Sequence, residues 1–471
     1  MSEGGQANDR RRSKAALFVV CCAAAGALPH ALQATTAMLP FAALATLLGA
    51  FSLRTVLQAG RPLSPPLAAS DAPAAVEPDS VAPMVDVVVA ARDEQAVISR
   101  LVTTIASLRW PEDRLRLWIV DDGSEDRTPE ILESLRTRHP LLNVLRRPRD
   151  AGGGKSAALN LVLQRLEGRW MLVLDADADL PVDLLERLIP RAEQDGWSAV
   201  QLRKAVVNAE VNLLTRAQAM EMALDALIQE GRLSGGGVSE LRGNGQLLRR
   251  DALLSCGGFN EATVTDDLDL SFRLLLHNEP IGLLWDPPVR EEAVLRLPAL
   301  WRQRQRWAEG GLQRFFDYWP QLLAGPLDAR QRLDLSCFFL LQYALPVVAA
   351  ADLLTALLTR TPPAVWPLST VTLLLSALAI VRSCRRSAEG PALPSPHPLN
   401  LLLGVAYLSH WFVVIPWVSL RMALLPKRLV WAKTLHLGEH GPASISIPDE
   451  DAPDLAAAGT ETELATEPGQ A

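Results

Sequence analysis

The stretch Trp170-Met171-Leu172-Val173-Leu174-Asp175-Ala176-Asp177 joins a short apolar run to two carboxylates. A short apolar run without polar alternation is typical of a strand that is covered on both faces, as in parallel sheets. Carboxylates directly after such a strand are costly to bury unless a cation or a metal compensates their charge. The stretch therefore predicts a central strand of an α/β domain with a charged site at its carboxyl end.

Similar runs on either side predict the rest of the sheet. Further strands are expected at residues 85–91, 115–120 and 199–202. Helical patterns lie between the strands at residues 94–108, 128–138, 155–166 and 181–193. Strands that alternate with helices predict a mostly parallel sheet with helices on both faces. Asp121 and Asp122 then also fall at the carboxyl end of a strand, where such sheets carry their sites.

Apolar sequence before this α/β domain predicts membrane crossings. Residues 15–53 contain no Asp, Glu, Lys or Arg, which leaves room for two crossings of ~17–20 residues each. Pro29-His30 is interpreted as the hairpin between them, and Arg10-Arg11-Arg12-Ser13-Lys14 is expected to stay in the cytoplasm. A cleaved signal peptide is the alternative for the first run, but it leaves the second run unexplained.

Three more apolar runs follow the domain, at residues 336–359, 364–381 and 399–420. Arginines and lysines mark the ends of the second and third runs as cytoplasmic. Three crossings that start from a cytoplasmic domain cannot satisfy both marks, so we expect one run to be interfacial or re-entrant, or a boundary to lie elsewhere. Asp352, inside the first run, is interpreted as a side chain that reaches the interface near Arg360, and a place in the interior of the helix bundle is the alternative.

Composition divides the chain into consecutive parts. These are a basic cytoplasmic N-terminus (1–14), two transmembrane helices (15–53), a Pro- and Ala-rich linker (54–83), a cytoplasmic α/β domain (84–320), a membrane region with two to three apolar helices (321–437) and an acidic disordered tail (438–471).

The formal net charge of -7 argues against nucleic-acid binding through a basic surface. The five cysteines show no Cys-x-x-Cys spacing, so neither a disulfide framework nor a zinc site is expected. No obligate protein partner is evident.

Two motifs have the chemistry of a nucleotide site. Asp121-Asp122-Gly123-Ser124 predicts a turn after a strand, and one Asp is enough to cap it, which leaves the other to accept hydrogen bonds from a base or ribose. Gly152-Gly153-Gly154-Lys155 precedes a helix, so backbone amides and Lys155 can approach a phosphate. A plain turn and a flexible loop are the alternatives for these two motifs.

Carboxylates in two further motifs indicate a metal and a base. Asp175 and Asp177 offer the hard oxygen ligands that Mg²⁺ or Mn²⁺ binds together with substrate phosphates, although pairs of Asp are also common on surfaces. Thr265-Asp266-Asp267 opens an amphipathic helix, and a helix cap explains one or two of these residues but not the cluster. Gly243-Asn244-Gly245 indicates tight backbone near a ligand, or merely a turn.

A basic motif lies on a helical stretch, residues 300–318. In Gln303-Arg304-Gln305-Arg306-Trp307, positions 303, 306 and 307 share one helix face. Arg306 can hold a diphosphate, and Trp307 can stack on a sugar. A basic helix beside a membrane is the alternative.

In this order, Asp-Asp-Gly, Asp-Ala-Asp, Thr-Asp-Asp and Gln-x-x-Arg-Trp resemble the motifs of membrane-embedded family 2 glycosyltransferases, over about residues 85–319 and the flanking membrane segments. The chain resembles the cyanobacterial β-monoglucosyldiacylglycerol synthases still more closely. That resemblance is carried by Arg12-Ser13-Lys14-Ala15-Ala16-Leu17, Ala151-Gly152-Gly153-Gly154-Lys155-Ser156, Glu240-Leu241-Arg242-Gly243-Asn244-Gly245-Gln246, Arg306-Trp307-Ala308-Glu309-Gly310-Gly311 and Trp431-Ala432-Lys433-Thr434. It implies a GT-A-type fold and inverting transfer of glucose from UDP-glucose to 1,2-diacylglycerol at a lipid bilayer, with Mg²⁺, or with Mn²⁺ as the alternative ion.

The same resemblance implies roles for the site residues. Asp267 would be the catalytic base, and Asp177 with Asp175 would position the metal. The substrate-binding residues would be Glu94, Asp121, Asp122, Lys155, Asp175, Gly243, Asn244, Asp266, Gln303, Arg306 and Trp307. Asp266 departs from the Glu that most of the wider family has at this place.

Three other functions compete with this one. A processive polysaccharide synthase shares Gln-x-x-Arg-Trp but needs a helix bundle that forms a polymer channel. Transfer of another hexose to a lipid is a close variant, since epimers differ by one hydroxyl contact. A catalytically dead nucleotide-sugar sensor would have broken carboxylate motifs, whereas every motif here is intact.

Overall fold

The computed structural model describes residues 3–31, 34–61 and 82–426. Most of the predicted linker and the whole predicted tail at 438–471 lie outside the described residues, as does Trp431-Ala432-Lys433-Thr434. An α/β domain and the apolar helices on either side of it make up the described chain.

Seven strands form the sheet of the α/β domain. They are β1 (Val85–Ala91), β2 (Leu115–Asp122), β3 (Leu142–Arg147), β4 (Trp170–Leu174), β5 (Ala199–Val206), β6 (Gln246–Arg249) and β7 (Ile281–Glu291). Their order across the sheet is β3-β2-β1-β4-β6-β5-β7. β6 runs antiparallel to both of its neighbours, and the other pairs are parallel. The predicted mostly parallel sheet is thereby confirmed.

The sequence patterns miss three of these strands, each for a physical reason. β3 and β7 are the edges of the sheet, so they need no continuous apolar run. β7 also contains Pro287 and Pro288, which interrupt a strand pattern. β6 has only four residues, Gln246–Arg249, too few for any period to be visible.

Fifteen α-helices accompany the sheet in the described part of the chain. Those before the sheet and within its first half are α1 (Glu3–Ala27), α2 (Ala34–Gln58), α3 (Ile98–Ala106), α4 (Thr128–Arg136), α5 (Gly154–Leu163) and α6 (Leu184–Gln194). Next come α7 (Leu213–Ser234), α8 (Arg250–Ser255), α9 (Asp266–Leu276) and α10 (Leu297–Ala324). The last are α11 (Ala329–Phe339), α12 (Leu345–Thr359), α13 (Trp366–Arg385), α14 (Pro398–Leu408) and α15 (Trp411–Leu424), and a π-helical turn (Leu340–Ala344) joins α11 to α12.

The central strands alternate between two apolar cores, which is why helices cover both faces. Val87 and Val89 of β1 enter a core with residues of α3 and α6. Val88 and Ala90 enter the opposite core with residues of α5, α9 and α10. β1 and β4 are buried at every residue, as expected for strands covered on both faces. Because β1, β2 and β4 are parallel, their carboxyl ends lie at the same edge of the sheet, where polar loops follow.

Five helical stretches in residues 3–31, 34–61 and 82–426 are long and apolar enough to cross a membrane. They are Arg10–Ala31, Met38–Gln58, Ala329–Thr359, Trp366–Arg385 and Pro398–Leu424. α1 packs against α12 and α15, and α2 packs against α13. These contacts join the segments before the α/β domain to those after it in one bundle.

The interpretation of Asp352 as an interfacial side chain near Arg360 is wrong. Asp352 is 2% exposed and accepts hydrogen bonds from the amides of Ala364 (2.8 Å) and Val365 (3.1 Å). Its Oδ1 also lies 2.9 Å from Nε2 of His30. Asp352 thus ties the turn after α1 to the turn before α13. The sequence pattern misses this because His30 is 322 positions away along the chain.

The last apolar segment, Pro398–Leu424, contacts the α/β domain repeatedly along its length. Just before it, the carboxylate of Glu389 pairs with Arg187 at 2.6 Å. Near its middle, Trp411 donates to Glu221 of α7 at 3.0 Å. At its end, Arg421 of α15 donates to Gln305 of α10 at 2.9 Å. The middle and the end of this segment therefore both lie against the domain.

Candidate active site

One cavity of about 690 Å³ opens beside the carboxyl ends of β1 and β4. Its wall contains most of the residues that the sequence predicts for the site. These are Glu94, Lys155, Asp175, Asp177, Gly243, Asp266, Asp267, Gln303, Arg306 and Trp307. Segments more than 200 positions apart in sequence therefore converge on one space.

Asp121 and Asp122 end β2 behind this wall and do not line the cavity. Asp121 accepts the amide of Ser124 at 2.9 Å, and its second oxygen lies 3.3 Å from Arg146. Asp122 accepts from Arg147 at 2.7 Å. Burial raises the pKa of Asp122, and Arg147 opposes that rise. The contribution of the two carboxylates to uridine binding stays a prediction.

Arg147 connects Asp122 to the glycine-rich loop. Besides its bond to Asp122, the guanidinium donates to the carbonyls of Gly152 (2.5 Å) and Gly154 (3.1 Å). Gly152 and Gly153 have φ of 70° and 68°, a backbone region that favours glycine. Arg147 thus fixes the glycine-rich loop to the end of β2, and α5 begins directly after this loop, at the cavity.

Lys155, in the first turn of α5, lies among three carboxylates. Its Nζ donates to Oδ1 of Asp175 at 2.6 Å. Burial alone would lower the pKa of Lys155, but Asp175, Asp266 and Asp267 together raise it above its ordinary value. The side chain of Lys155 therefore stays protonated and positively charged at the place where the sequence predicts a residue that binds phosphate.

The Asp175-Ala176-Asp177 turn fits a divalent cation that is shared with a diphosphate. Asp177 is 4% exposed and accepts the amide of Glu292 at 3.1 Å, whereas the side chain of Asp175 is 42% exposed. Within the described ranges, no group of three or more His, Cys, Asp or Glu is arranged to hold a metal by itself. Mg²⁺ commonly takes one or two carboxylates and completes its shell with water and substrate phosphates. The donor set has that chemistry.

Asn244 lies behind the same turn and is fully buried. Its Oδ1 accepts the amide of Asp175 at 3.1 Å, and its Nδ2 donates to Glu291 at 3.3 Å. The preceding Gly243 has φ of 90°, and a Cβ there would lie 3.5 Å from Oδ2 of Asp267. Asn244 therefore positions the backbone of the carboxylate turn, while Gly243 lies against Asp267.

Asp267 has the protonation behaviour of a base. It lies in the first turn of α9, directly after Asp266. Burial and the neighbouring Asp266 raise the pKa of Asp267 to about 6, against the amide of Leu268 and the charges of Lys155 and Arg242. A carboxylate with such a pKa is ionised at neutral pH yet basic enough to take a proton.

The predicted face of α10 points into the cavity. Gln303, Arg306 and Trp307 all line it. Burial lowers the pKa of Arg306, and the carboxylates of Asp175, Asp267 and Asp266 oppose that effect. Arg304 is 1% exposed and its guanidinium lies 4.0 Å from the centroid of the Trp307 ring, which it supports from behind.

A charged pair that the sequence patterns miss also lines the cavity. Lys204 of β5 lies 3.1 Å from Glu291 at the end of β7 and 5.6 Å from the centroid of the Trp307 ring. Burial would lower the pKa of Lys204, but Glu291 and Asp175 raise it. A lysine inside a strand that is buried along almost its whole length was the available signal. Glu291 is also a carboxylate at the end of a strand, but the sequence patterns do not predict that strand, β7.

Away from the carboxylates, the cavity reaches the apolar helices. Its wall here consists of residues from the π-helical turn, α13 and the junction of α14 and α15, including Leu341, Leu373, Leu408, Trp411 and Phe412. One continuous space therefore has a charged end in the α/β domain and an apolar end among the candidate membrane helices.

Comparison with known proteins agrees with this architecture. Residues 86–256 match the sequence model of the family described as Glycosyl transferase family 2. A β-monoglucosyldiacylglycerol synthase of Synechocystis sp. is 46% identical over 397 residues, which cover 83% of this chain and 82% of that protein. A β-monoglucosyldiacylglycerol synthase of Trichormus variabilis is 44% identical over 360 residues, which cover 76% of this chain and 77% of that protein.

A solved structure shows that the fold recurs at low sequence identity. The mannosyltransferase PcManGT from Pyrobaculum calidifontis, in complex with GDP-Man and Mn²⁺, superposes with a TM-score of 0.57 at 20% identity. The match covers 81% of this chain and 97% of that one. With the carboxylate-lined cavity at the ends of a GT-A-type sheet, these similarities show that the chain is a glycosyltransferase and belongs to glycosyl transferase family 2, together with the β-monoglucosyldiacylglycerol synthases.

Proposed function

We propose that this protein transfers glucose from UDP-glucose to 1,2-diacylglycerol and inverts the anomeric configuration to give β-monoglucosyldiacylglycerol. The observation that carries the proposal is the single cavity, charged at one end and apolar at the other. A water-soluble phosphorylated donor suits the first end, and a lipid acceptor suits the second. The 46% identity to the Synechocystis synthase supports the choice of both substrates.

The donor would occupy the charged end. Glu94, which lines the wall, and the buried Asp121 and Asp122 would hold the uridine. Lys155 and Arg306, which both line the wall, would face the diphosphate. Mg²⁺, or Mn²⁺ as the alternative ion, would be held by Asp177 and Asp175 and would neutralise charge on the departing UDP.

Side chains of the protein accept the proton of the acceptor and stabilise part of the negative charge on the leaving group. Asp267 takes the proton from the acceptor hydroxyl as that oxygen bonds to the anomeric carbon. The bond from this carbon to the β-phosphate oxygen breaks on the opposite face, which inverts the configuration. Lys155 and Arg306 stabilise the negative charge that develops on the diphosphate. Trp307 shapes the place where sugar and acceptor meet.

The apolar end favours a lipid acceptor over a growing polysaccharide. A polymer channel needs hydrogen-bonding groups along its walls to replace the hydration of sugar hydroxyls. Leu341, Leu373 and Phe412 cannot supply them, but they match acyl chains. Thr372 and Ser376 also line this end, but each donates its hydroxyl to a carbonyl of its own helix. A bilayer would also deliver the acceptor already concentrated and oriented beside the cavity.

The arrangement of the apolar helices supports a multi-pass protein with its catalytic domain on the cytoplasmic face. Arg11 of α1 pairs with Glu309 of α10, so the basic end of α1 lies at the domain. Arg386, just after α13, pairs with Glu230 of α7 and lies there too. Arginines concentrate on the cytoplasmic side of membrane proteins. α1, α2, α11–α12 and α13 would then be four crossings.

A direct assay tests the proposal. Purified protein in mixed micelles would receive diacylglycerol and, in separate reactions, UDP-glucose, UDP-galactose or UDP-N-acetylglucosamine, with and without a chelator. We expect one product, a monoglucosyl lipid with a β-anomeric proton signal, and its loss on chelation. A product ladder of increasing sugar number would instead establish a polysaccharide synthase, and a preference for another UDP-sugar would overturn the choice of glucose.

A further inference from the structure

A buried polar cluster lies where the charged and apolar ends of the cavity meet. Glu221 of α7, 7% exposed, pairs with Arg304 of α10. The same carboxylate accepts from the hydroxyl of Tyr407 (3.0 Å) and from Nε1 of Trp411 (3.0 Å). Tyr407 lies 2.8 Å from Arg304, and Arg304 stacks on Trp307. We call these residues, Glu221, Arg304, Tyr407 and Trp411, the Glu221 cluster.

The Glu221 cluster fixes the junction of α14 and α15 against the α/β domain. Tyr407 lies near the end of α14 and Trp411 begins α15, so both arms of the segment are bonded to Glu221. A buried charge pair is costly to desolvate and persists only when its remaining hydrogen bonds are satisfied. Here Tyr407 and Trp411 of the junction both donate to Glu221, so the junction and the pair depend on each other.

The fixed junction forms one wall of the apolar end of the cavity. Leu408 and Phe412 of the junction line this end, and so do Thr372, Leu373 and Ser376 of α13. Glu221, Trp411 and Trp307 also line the cavity. Trp411 of the junction donates to Glu221, Arg304 links Glu221 to Trp307, and the Trp307 ring lies 5.6 Å from Lys204 at the charged end. A molecule that enters between α13 and the junction would therefore meet the Glu221 cluster before it meets Asp267.

Three arginines near this passage, Arg304, Arg242 and Arg314, are paired with carboxylates. Arg304 pairs with Glu221, and Arg242 lies 3.2 Å from Asp225. Arg314 lies 3.0 Å from Glu240, whose pKa is lowered to about 2 because Arg314 and its neighbours outweigh the effect of burial. A passage whose cations are paired favours an uncharged headgroup over a phosphate. Hydroxyls can still bond to the paired carboxylates.

We propose that the gap between α13 and the α14–α15 junction, with the Glu221 cluster at its inner end, is the binding site for an uncharged diacyl glycerolipid. This site deepens the proposed function and rests on it, since it names the place where the acceptor lies before Asp267 acts on it. The acyl chains occupy the gap between Leu373 and Phe412. The glycerol lies at Glu221 and Trp307, and the Glu221 cluster acts by positioning.

Two substitutions on neighbouring positions of α13 test the gap. Leu373→Trp places an indole in the gap, whereas Leu374→Trp adds the same group at a position that is 65% exposed and outside the cavity wall. We expect Leu373→Trp to raise the apparent KM for diacylglycerol about tenfold and to leave the KM for UDP-glucose unchanged. Leu374→Trp should leave both constants unchanged. Equal effects of the two variants would overturn the proposal.

A matched tyrosine pair tests the Glu221 cluster. Tyr407→Phe removes one hydroxyl from Glu221, and Tyr318→Phe removes a hydroxyl that lies 2.9 Å from the carboxylate of Asp269, outside the cavity wall. Tyr407→Phe should raise the KM for diacylglycerol severalfold with kcat nearly unchanged, and Tyr318→Phe should not. A fall in kcat alone with Tyr407→Phe would contradict a positioning role in acceptor binding.

Photolabelling separates failure of the site from failure of the proposed function. A diacylglycerol with a diazirine in one acyl chain would be irradiated with the full chain in mixed micelles, and the labelled peptides would be identified by mass spectrometry. We expect labels on α13 and on the α14–α15 junction, reduced by Leu373→Trp and by excess diacylglycerol but not by phosphatidic acid. Labelling there without any glycolipid product would refute the proposed function and keep the site. Product with labelling elsewhere would refute the site and keep the function.

Discussion

Gly310 of α10 packs directly against Thr265, the residue that precedes α9: a Cβ at position 310 would overlap the Thr265 hydroxyl. The absence of a side chain at 310 therefore lets the beginning of α9 approach α10. Asp267 and Arg306, which lie on these two helices, both reach the cavity as a result. The next residue, Gly311, makes a similar close approach to Tyr343.

Gly310→Ala should separate the base from the cations that face the donor. We expect kcat to fall by at least tenfold because Thr265 and Asp267 must shift, and small displacements of reacting groups are costly. Gly49→Ala in α2, where a Cβ would meet only a side-chain carbon of Val371 at 3.0 Å, is the matched control. Steady-state kinetics with both substrates is the measurement, and equal activity of the two variants would contradict the packing argument.

Asp267→Asn should abolish transfer while the protein still binds UDP. Amide replaces carboxylate at constant size, so the proton acceptor is lost but the shape of the site is kept. General-base contributions are typically 10²–10⁴-fold, and we expect a loss of about that size. Transfer is measured by product formation and UDP affinity by calorimetry. Turnover at the wild-type rate would refute the assignment of the base.

The pH dependence of kcat/KM should report Asp267. The base works only when ionised, and its pKa is about 6, so activity should be high at neutral pH and fall as the pH drops through about 6. Because the charge of Asp266 helps to raise this pKa, Asp266→Asn should move the acid limb to lower pH. A limb that stays in place or moves upward would show that Asp266 does not act on the base in this way.

Asp352→Ala should destabilise the bundle without altering the cavity. The substitution leaves the amides of Ala364 and Val365 and the ring of His30 without their acceptor. Each unsatisfied buried group costs about 1–3 kcal/mol, so we expect a clear fall in the Tm of the detergent-solubilised protein. The KM values of the folded fraction should stay at wild-type levels, and changed KM values would show that this end of the bundle communicates with the cavity.

Cysteine labelling should place both ends of Pro398–Leu424 on one side of the membrane. In a background without the five native cysteines, Ser395→Cys and Leu425→Cys should react with an impermeant maleimide from the side of the α/β domain. Pro362→Cys, in the exposed turn between α12 and α13, should react from the opposite side. Labelling of positions 395 and 425 from opposite sides would mean that the segment crosses the bilayer.

Several elements of the site can be read from short stretches of sequence. An apolar run that ends in Asp175-Ala176-Asp177 specifies a strand and the turn after it, because burial and strand geometry act within a few residues. Gly152-Gly153-Gly154-Lys155 and Thr265-Asp266-Asp267 likewise specify helix starts. Since parallel strands share one edge for their carboxyl ends, the sequence also predicts that these motifs meet.

Only tertiary packing determines which residues that lie far apart in the chain form ion pairs and hydrogen bonds with one another. Asp121 and Asp122 lie behind the cavity wall because Arg146 and Arg147 of the adjacent edge strand pair with them. Lys204 finds Glu291, and Glu221 gathers side chains from α10, α14 and α15. A local pattern shows that a buried charge needs a partner, but not which of many distant groups supplies it. That choice depends on how whole helices and strands pack, and no short stretch of sequence contains it.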